Sequence, residues 1–396
     1  MVKKVGDNDS NTLTGTDSDD QLFGLGGTDF LIGKKGNDLL DGGDGSDFAV
    51  YTNSATAVTV NLLLGKATGE GTDTLKSIEN IDGSFKNDTI NLDNRDNFAN
   101  GNIGNDVIRG LGGKDTLFGG ADNDKLFGGD GDDIINGQDG NDTVGGGLGT
   151  NDLSDDAGID TLSYRDFANT SLEVSLASGT AKGVQVGAAR VPVTTVLSDT
   201  FTGFENVDGC DKIDSIVGDS GNNVLKGFAG NDFISGNGGN DTVDGGKGND
   251  ELETSGGTTV LKGGPGNDVL TGSGVFDTYI PGTGRDVMNG LGGRDTFVFQ
   301  SKADSVVGDQ TDHIVDFVRR EGDKIDVSGI DANEAVSGNQ TFTFVTTITG
   351  RGQLAVVEIE PNHYRVDGNT TGDTMPDFSV ELDYAELKPA KGDFIL

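Results

Sequence analysis

The chain has 396 residues, of which 33% are apolar and 6% aromatic with no tryptophan, so a large conventional core is excluded. Acidic residues outnumber basic ones 66 to 28, and the formal charge of -38 excludes nucleic acid or an anionic membrane surface held by charge alone. Cations are the natural partners: the 67 glycines supply turns of positive φ, and the abundant aspartates supply short, hard carboxylates within reach of them.

Taken from the N-terminus, no apolar h-region follows Lys3 and Lys4, so a Sec-type signal is not read there; no window approaches eighteen apolar residues, so no membrane span is expected. A nine-residue period then begins at Gly6 and runs to Val50, with copies such as GLGGTDFLI and GKKGNDLLD. It returns in a new phase from Gly83 to Ser163, including GLGGKDTLF, GGADNDKLF and GGDGDDIIN, and again from Gly209 to Val298. Position six is aspartate at Asp20, Asp29, Asp38 and Asp47 in the first block, and at Asp88, Asp106, Asp115, Asp124, Asp133, Asp142 and Asp160 in the second. In the third block it is aspartate at Asp214, Asp232, Asp241, Asp250, Asp268, Asp277, Asp286 and Asp295. Position eight is aliphatic or aromatic, as at Leu22, Leu31, Ile108, Leu117, Leu126, Ile234, Leu270 and Phe297.

This spacing predicts six turn residues followed by a three-residue strand with one inward side chain, so that two repeats close one coil. Coils stacked about 4.8 Å apart place the position-six carboxylates of repeats eighteen residues apart face to face, across a gap suited to an ion. Two buried side chains per coil contribute about 3 to 5 kcal/mol, against eighteen residues that each cost about 1 to 2 kcal/mol to order. Folding is therefore expected to require metal. Asn97, Asn151, Asn223 and Thr259 stand at position six on one edge only, and the sites they join are expected to be weaker.

The period resembles the G-G-x-G-x-D-x-U-x nonapeptide of the RTX family. The resemblance implies an all-β, right-handed parallel β-roll that binds many Ca2+ ions through these aspartates and turn carbonyls. Two segments interrupt it, 51–82 and 164–208, opened by Tyr51 and Tyr164 and resembling each other in AVTVNLLLGKA against SLEVSLASGTA and DTLKSIENIDG against DTFTGFENVDG. Alternating Val58, Val60 and Leu62, and Leu172, Val174 and Leu176, predict strands that continue the solenoid as broader rungs. The expected layout is thus roll blocks at 1–50, 83–163 and 209–298, two strand-rich inserts between them, and a distinct region from 299 to 396.

Into and through that last region run DTFVFQSKADS (Asp295 to Ser305), DHIVDF, DKIDVSGIDAN, GQL and a terminal DFIL. It resembles the C-terminal domain of serralysin-like secreted proteins, which implies a cap on the roll and a type I export signal at Asp393 to Leu396, read by a type I secretion transporter. A loop at 369–378 resembles a family calcium loop but departs from it at Asn369, Thr371 and Thr374, which removes charge and weakens ion binding at Asp373 and Asp377.

Serralysins carry a zinc protease domain before the roll, whereas here the repeats start at Gly6, so no enzyme part is expected. His313 and His363 lie fifty residues apart outside any H-E-x-x-H and are assigned structural roles; no G-x-S-x-G occurs. The single cysteine, Cys210, excludes an internal disulfide framework. The reading is a secreted, calcium-folded structural or interaction module, with an extracellular polysaccharide or cell-surface component as candidate partner, since alginate epimerases carry similar rolls. A pore-forming toxin is disfavoured by the absence of long apolar helices.

Overall fold

In the computed structural model, residues 1–165, 170–185, 194–383 and 387–396 are described. None of them is α-helical; short strands succeed one another along the chain, and one 3-10 turn, Lys391–Asp393, precedes the final strand. The pattern follows from the repeat. One apolar side chain per nine residues cannot make an amphipathic helix, but it lines the interior of a coil once copies stack.

The chain divides into two units, Met1–Asp166 with Gly179–Asn206, and Phe167–Ser178 with Val207–Leu396. Both are parallel β-rolls. In the first, one face stacks Ile90, Ile108, Leu126, Val144 and Leu162, and the other Ala99, Leu117, Ile135 and Leu153, each opposite a residue eighteen positions away. In the second, Ile216, Ile234, Leu252, Leu270 and Met288 stack on one face, and Leu225, Val243, Leu261, Tyr279 and Phe297 on the other. All these side chains are fully buried, so position eight is the core. The fold is thus the all-β parallel roll that the period predicts.

Strand length departs from the expectation of three. In the second block Phe98–Ile103, Val107–Gly112, Thr116–Ala121, Lys125–Asp130, Ile134–Asp139 and Thr143–Leu148 each run six residues. The cause is that turns of identical conformation stack as well as strands do, so the ladder continues into them, as Leu111 opposite Gly129 shows. Such stacking leaves no space for a side chain: a Cβ on Gly131, at φ 146°, would lie 1.5 Å from the Gly113 carbonyl oxygen.

Of the inserts, the first is an antiparallel meander of Thr59–Asn61, Lys66–Thr68 and Thr72–Lys76. Its outer strands pair in parallel with Thr89–Asn91 and Leu39–Gly45, which keeps it within the roll. In the second insert, Thr180–Gln185 pairs antiparallel with Thr194–Thr202, and the latter lies parallel to Asp152–Ser154. Val58, Val60, Leu62, Leu172 and Val174 are buried, as their alternation predicts, while Leu176 is half-buried. Residues 166–169 and 186–193 of this insert lie outside the described residues.

Past Val298 the second unit carries both faces onward without glycine repeats. Asp312–Ile314 pairs with Val287–Asn289 and then with Phe378–Leu382, the edge of an antiparallel trio with Gln353–Glu360 and His363–Asn369. On the other face Lys324–Asp326 pairs with Thr296–Val298 and receives Phe394–Ile395 as its last rung.

Candidate metal centre

Each of the nineteen position-six aspartates is at most 2% exposed. What holds such a carboxylate inside is a backbone ladder. Within the repeat blocks the amide of a position-six residue donates to Oδ1 of the position-six residue eighteen positions on: Asp88 to Asp106 at 2.6 Å, Asp106 to Asp124 and Asp124 to Asp142 at 2.7 Å, and Asp142 to Asp160 at 2.8 Å. The opposite edge runs from Asn97 to Asp115 and on to Asp133 at 2.8 Å, then to Asn151 at 2.9 Å. In the first block Asp20 donates to Asp38 at 2.7 Å, and Asp29 to Asp47 at 2.8 Å. The second unit repeats the scheme through Asp214, Asp232, Asp250, Asp268 and Asp286, and through Asn223 to Asp241 and Thr259 to Asp277 to Asp295.

With Oδ1 taken, Oδ2 decides the chemistry. It is buried and has no hydrogen-bond partner in Asp29, Asp38, Asp47, Asp106, Asp115, Asp124, Asp133, Asp232, Asp241, Asp250, Asp268 and Asp286. An anionic oxygen stranded in this way costs several kcal/mol unless a cation meets it. The space beside it is shaped by position one. A Cβ on Gly24 would fall 2.1 Å from Asp29 Oδ2 and 2.4 Å from the Gly42 carbonyl oxygen, so glycine keeps open a pocket bounded by a carboxylate and a carbonyl of the next coil. Orphaned hard oxygens around a cradle suit Ca2+, which takes six to eight oxygen ligands. Burial foremost, with neighbouring carboxylates adding to it, pushes these acids up without metal: Asp106 and Asp115 to about 7, and Asp124, Asp232 and Asp268 to about 8.

Four aspartates are answered from within their own repeat. Asp88 Oδ1 accepts from the Ser84 hydroxyl at 2.7 Å, Asp277 Oδ2 from the Ser273 hydroxyl at 3.1 Å, and Asp20 Oδ2 from the Thr16 hydroxyl at 2.8 Å. Asp214 accepts the Cys210 thiol at 3.1 Å, and the same burial drives that thiol up to about 12, which makes it unreactive. All four donors stand at position two, where a hydroxyl or thiol reaches the carboxylate and glycine does not.

Several ladder members carry no glycine signature and were missed in the sequence. Asp38 donates to Asp73 at 2.9 Å and Asn151 to Asp199 at 3.1 Å, both within the inserts, while Asp47 and Asp160 donate to Glu79 and Glu205. At each insert a buried tyrosine closes the rung: Tyr51 donates to Asp73 Oδ2 at 3.1 Å and Tyr164 to Asp199 Oδ2 at 3.0 Å. Beyond Val298 the ladder continues from Asp286 to Asp312 at 2.8 Å and from Asp295 to Asp323 at 3.0 Å. Burial lifts Asp312 to about 9. The available signal was the triplet Asp-x-apolar: Asp73-Thr74-Leu75, Asp199-Thr200-Phe201, Asp312-His313-Ile314 and Asp323-Lys324-Ile325. Asp155 was missed for another reason. It replaces glycine at position one and turns inward, and Asp142, Asp155 and Asp160 bring carboxylate oxygens within 4.8 Å of one another.

The loop at 369–378 is satisfied internally. Asp377 accepts from the Thr370 and Thr371 amides at 2.7 and 3.0 Å, and Met375 donates to Asp373 at 2.9 Å.

Two family profiles match the chain. RTX calcium-binding nonapeptide repeat (4 copies) matches residues 5–40, 23–49, 91–126 and 118–153, and Peptidase M10 serralysin C terminal matches residues 232–396. The chain therefore carries RTX calcium-binding repeats and a serralysin-type C-terminal domain: it binds Ca2+ at multiple repeats and is secreted by a type I route. The serralysin match begins within the third repeat block rather than after it. No curated protein matches the chain. Among solved structures, the extracellular lipase LipA from Serratia marcescens aligns over 72% of this chain and 40% of its own length, at 18% identity and a TM-score of 0.26. The chain thus spans about two fifths of that protein.

Proposed function

We propose that this chain is a non-catalytic extracellular module whose work is done by its folded surface, and that the nineteen repeat aspartates are the calcium ligands that fold it. The observation that carries the reading is the row of buried Oδ2 atoms lacking any protein partner. These carboxylates serve poorly in acid–base catalysis, because one oxygen is fixed by a backbone amide and the other is turned toward an ion. The layout proposed is three roll blocks, two inserts and the region from 299. Calcium titration of the EGTA-treated chain, followed by far-UV circular dichroism and metal analysis, tests it. Cooperative gain of β-structure with about ten or more ions per chain is expected. A metal content of two or three would overturn the ligand assignment.

An extracellular polysaccharide as partner is supported by one face of the first unit. Phe30, Phe48, Phe98 and Phe118 form an outward ladder with successive ring centroids 4.7, 5.7 and 5.6 Å apart. The same strand that carries Phe30 carries Ile32, which lines a surface cavity of about 510 Å³ with Lys34, Lys35 and Asn53. Asp17 and Glu70 line the same cavity and Glu70 pairs with Lys35 at 3.9 Å, which leaves Lys34 beside the aromatic faces to meet an anionic glycan. Calcium-dependent retardation in an alginate gel, lost in Lys34→Glu/Lys35→Glu, is the expected result; equal retardation of both proteins rejects this partner.

A further inference from the structure

The two histidines, fifty residues apart in sequence, meet on the outer face of the second unit. His313 lies opposite Glu381 in the parallel pairing, and Glu381 is followed two residues later by Asp383, beside His363 of the next strand. Since side chains alternate across a strand, Asp312 turns inward to the ladder while His313 turns outward. His313 Nδ1 lies 3.0 Å from Asp383 Oδ2, and His313 Nε2 lies 3.6 Å from Glu381 Oε2. His363 Nε2 lies 2.9 Å from Asp383 Oδ1 and 3.5 Å from Glu381 Oε2. That nitrogen is shielded from solvent and, although close to Asp383, is not aligned with it for a hydrogen bond.

We propose that His313, His363, Glu381 and Asp383 bind one transition-metal ion of the Zn2+ class, at a site chemically separate from the calcium ladder. Four ligands at the usual Zn–N and Zn–O distances of about 2.0 to 2.2 Å stand roughly 3.3 Å from one another in a tetrahedron. His313, Glu381 and Asp383 offer ligand atoms mutually within 4.8 Å, and His363 Nε2, 2.9 Å from Asp383 and 3.5 Å from Glu381, completes the set when the side chains close around the ion. Two carboxylates cancel the charge of a divalent ion, and neutral imidazoles add none. Imidazole nitrogen selects against Ca2+, which takes oxygen, so calcium outside the cell does not compete. His313 binds through Nδ1, the nitrogen 3.0 Å from Asp383 Oδ2, so that the ion replaces the proton now shared between them. In the metal-free protein Arg285 Nη2 sits 3.1 Å from His313 Nε2 and must move away once metal at Nδ1 leaves the ring proton on Nε2. Arg365, opposite Glu381 on the neighbouring strand, is held away from the cluster by its bidentate pairing with Asp367. All four proposed ligands keep between 18 and 28% of their side-chain surface exposed, so an ion reaches them from solvent.

The test uses the full chain, folded in excess calcium, titrated with Co2+ as a visible probe and with Zn2+ by equilibrium dialysis. One equivalent of Zn2+ per chain is expected, with an intense four-coordinate Co2+ band that Zn2+ abolishes. His313→Ala and His363→Ala should each weaken Zn2+ by at least about tenfold, while Arg285→Ala tightens it. Circular dichroism in calcium reports folding of each variant; should a histidine variant unfold, Glu381→Gln, with nearly unchanged shape, decides. No uptake beyond calcium, or uptake indifferent to these four positions, overturns the proposal.

Discussion

At the scale of single residues, position two of the repeat is where backbone and side chain disagree. Leu25, Leu111 and Leu291 sit at φ 86°, 78° and 63°, a left-handed conformation that L-residues with a branched side chain resist. Gly120 and Gly129 occupy the equivalent place at no such cost. Leu111 is 37% exposed and gives the core little, so Leu111→Gly is expected to stabilise the calcium-loaded protein by about 1 kcal/mol in urea titration. No gain would mean that the contacts of its side chain outweigh the strain. Leu126 is the opposite case, fully buried between Ile108 and Val144. Leu126→Ala should cost about 2 to 5 kcal/mol and, if folding and binding are one equilibrium, move the calcium midpoint of folding upward; an unmoved midpoint would uncouple the core from the ions. Asp155 belongs here too. A third carboxylate beside Asp142 and Asp160 raises the charge around one ion, so Asp155→Gly should abolish the slowest-released calcium in chelator stopped-flow and leave the remaining phases.

For elements, the inserts show how far the sequence was readable. The nine-residue period located the coils, the eighteen-residue register and the core, because each depends on a residue type repeated at fixed spacing. Rungs built from unlike residues escaped. Nothing in a glycine count marks Asp73 or Asp199 as ladder members, since the antiparallel meander replaces the glycine turn and leaves only the Asp-x-apolar triplet. Similarly, the meeting of His313 with His363 depends on an antiparallel trio whose register no local pattern specifies. Tyr51 and Tyr164 were legible as openers of the inserts, but not as hydroxyls that occupy Oδ2 where other rungs leave it open. Tyr51→Phe should therefore strand the Asp73 oxygen and destabilise the first unit by about 1 to 3 kcal/mol in saturating calcium. A neutral result would indicate that an ion or water takes the place of the hydroxyl.

Across the whole molecule, the proposed ligand assignment makes protons and calcium compete for the same oxygens. Without metal the folded roll holds Asp38 and Asp286 at about 7 and Asp124, Asp232 and Asp295 at about 8, whereas an unfolded aspartate titrates near 3.9. Raised carboxylate values mean that the folded, calcium-free form binds protons the unfolded chain does not. Its stability therefore grows as pH falls through 8 to 6, is complete below about 4, and is lost again as pH rises. In EGTA, β-structure is expected to increase between pH 8 and pH 5 with no metal present; a spectrum that stays unfolded at pH 5 would show that protons cannot replace calcium in the ladder.

The end of the chain has one more consequence. Phe394–Ile395 is paired against Lys324–Asp326, Phe394 is 7% exposed, and the Asp393 carboxylate is held by the Ala390 amide and Arg319, both at 2.7 Å. If Asp393 to Leu396 are the export address, that address is sewn into the last rung whenever the molecule is folded. Reading it and folding would then exclude each other, which would make calcium a clock: the chain would be dispatchable only for as long as it remained uncalcified. A producing cell whose internal calcium rose would be expected to retain finished copies, folded and no longer addressed, before it stopped making new ones.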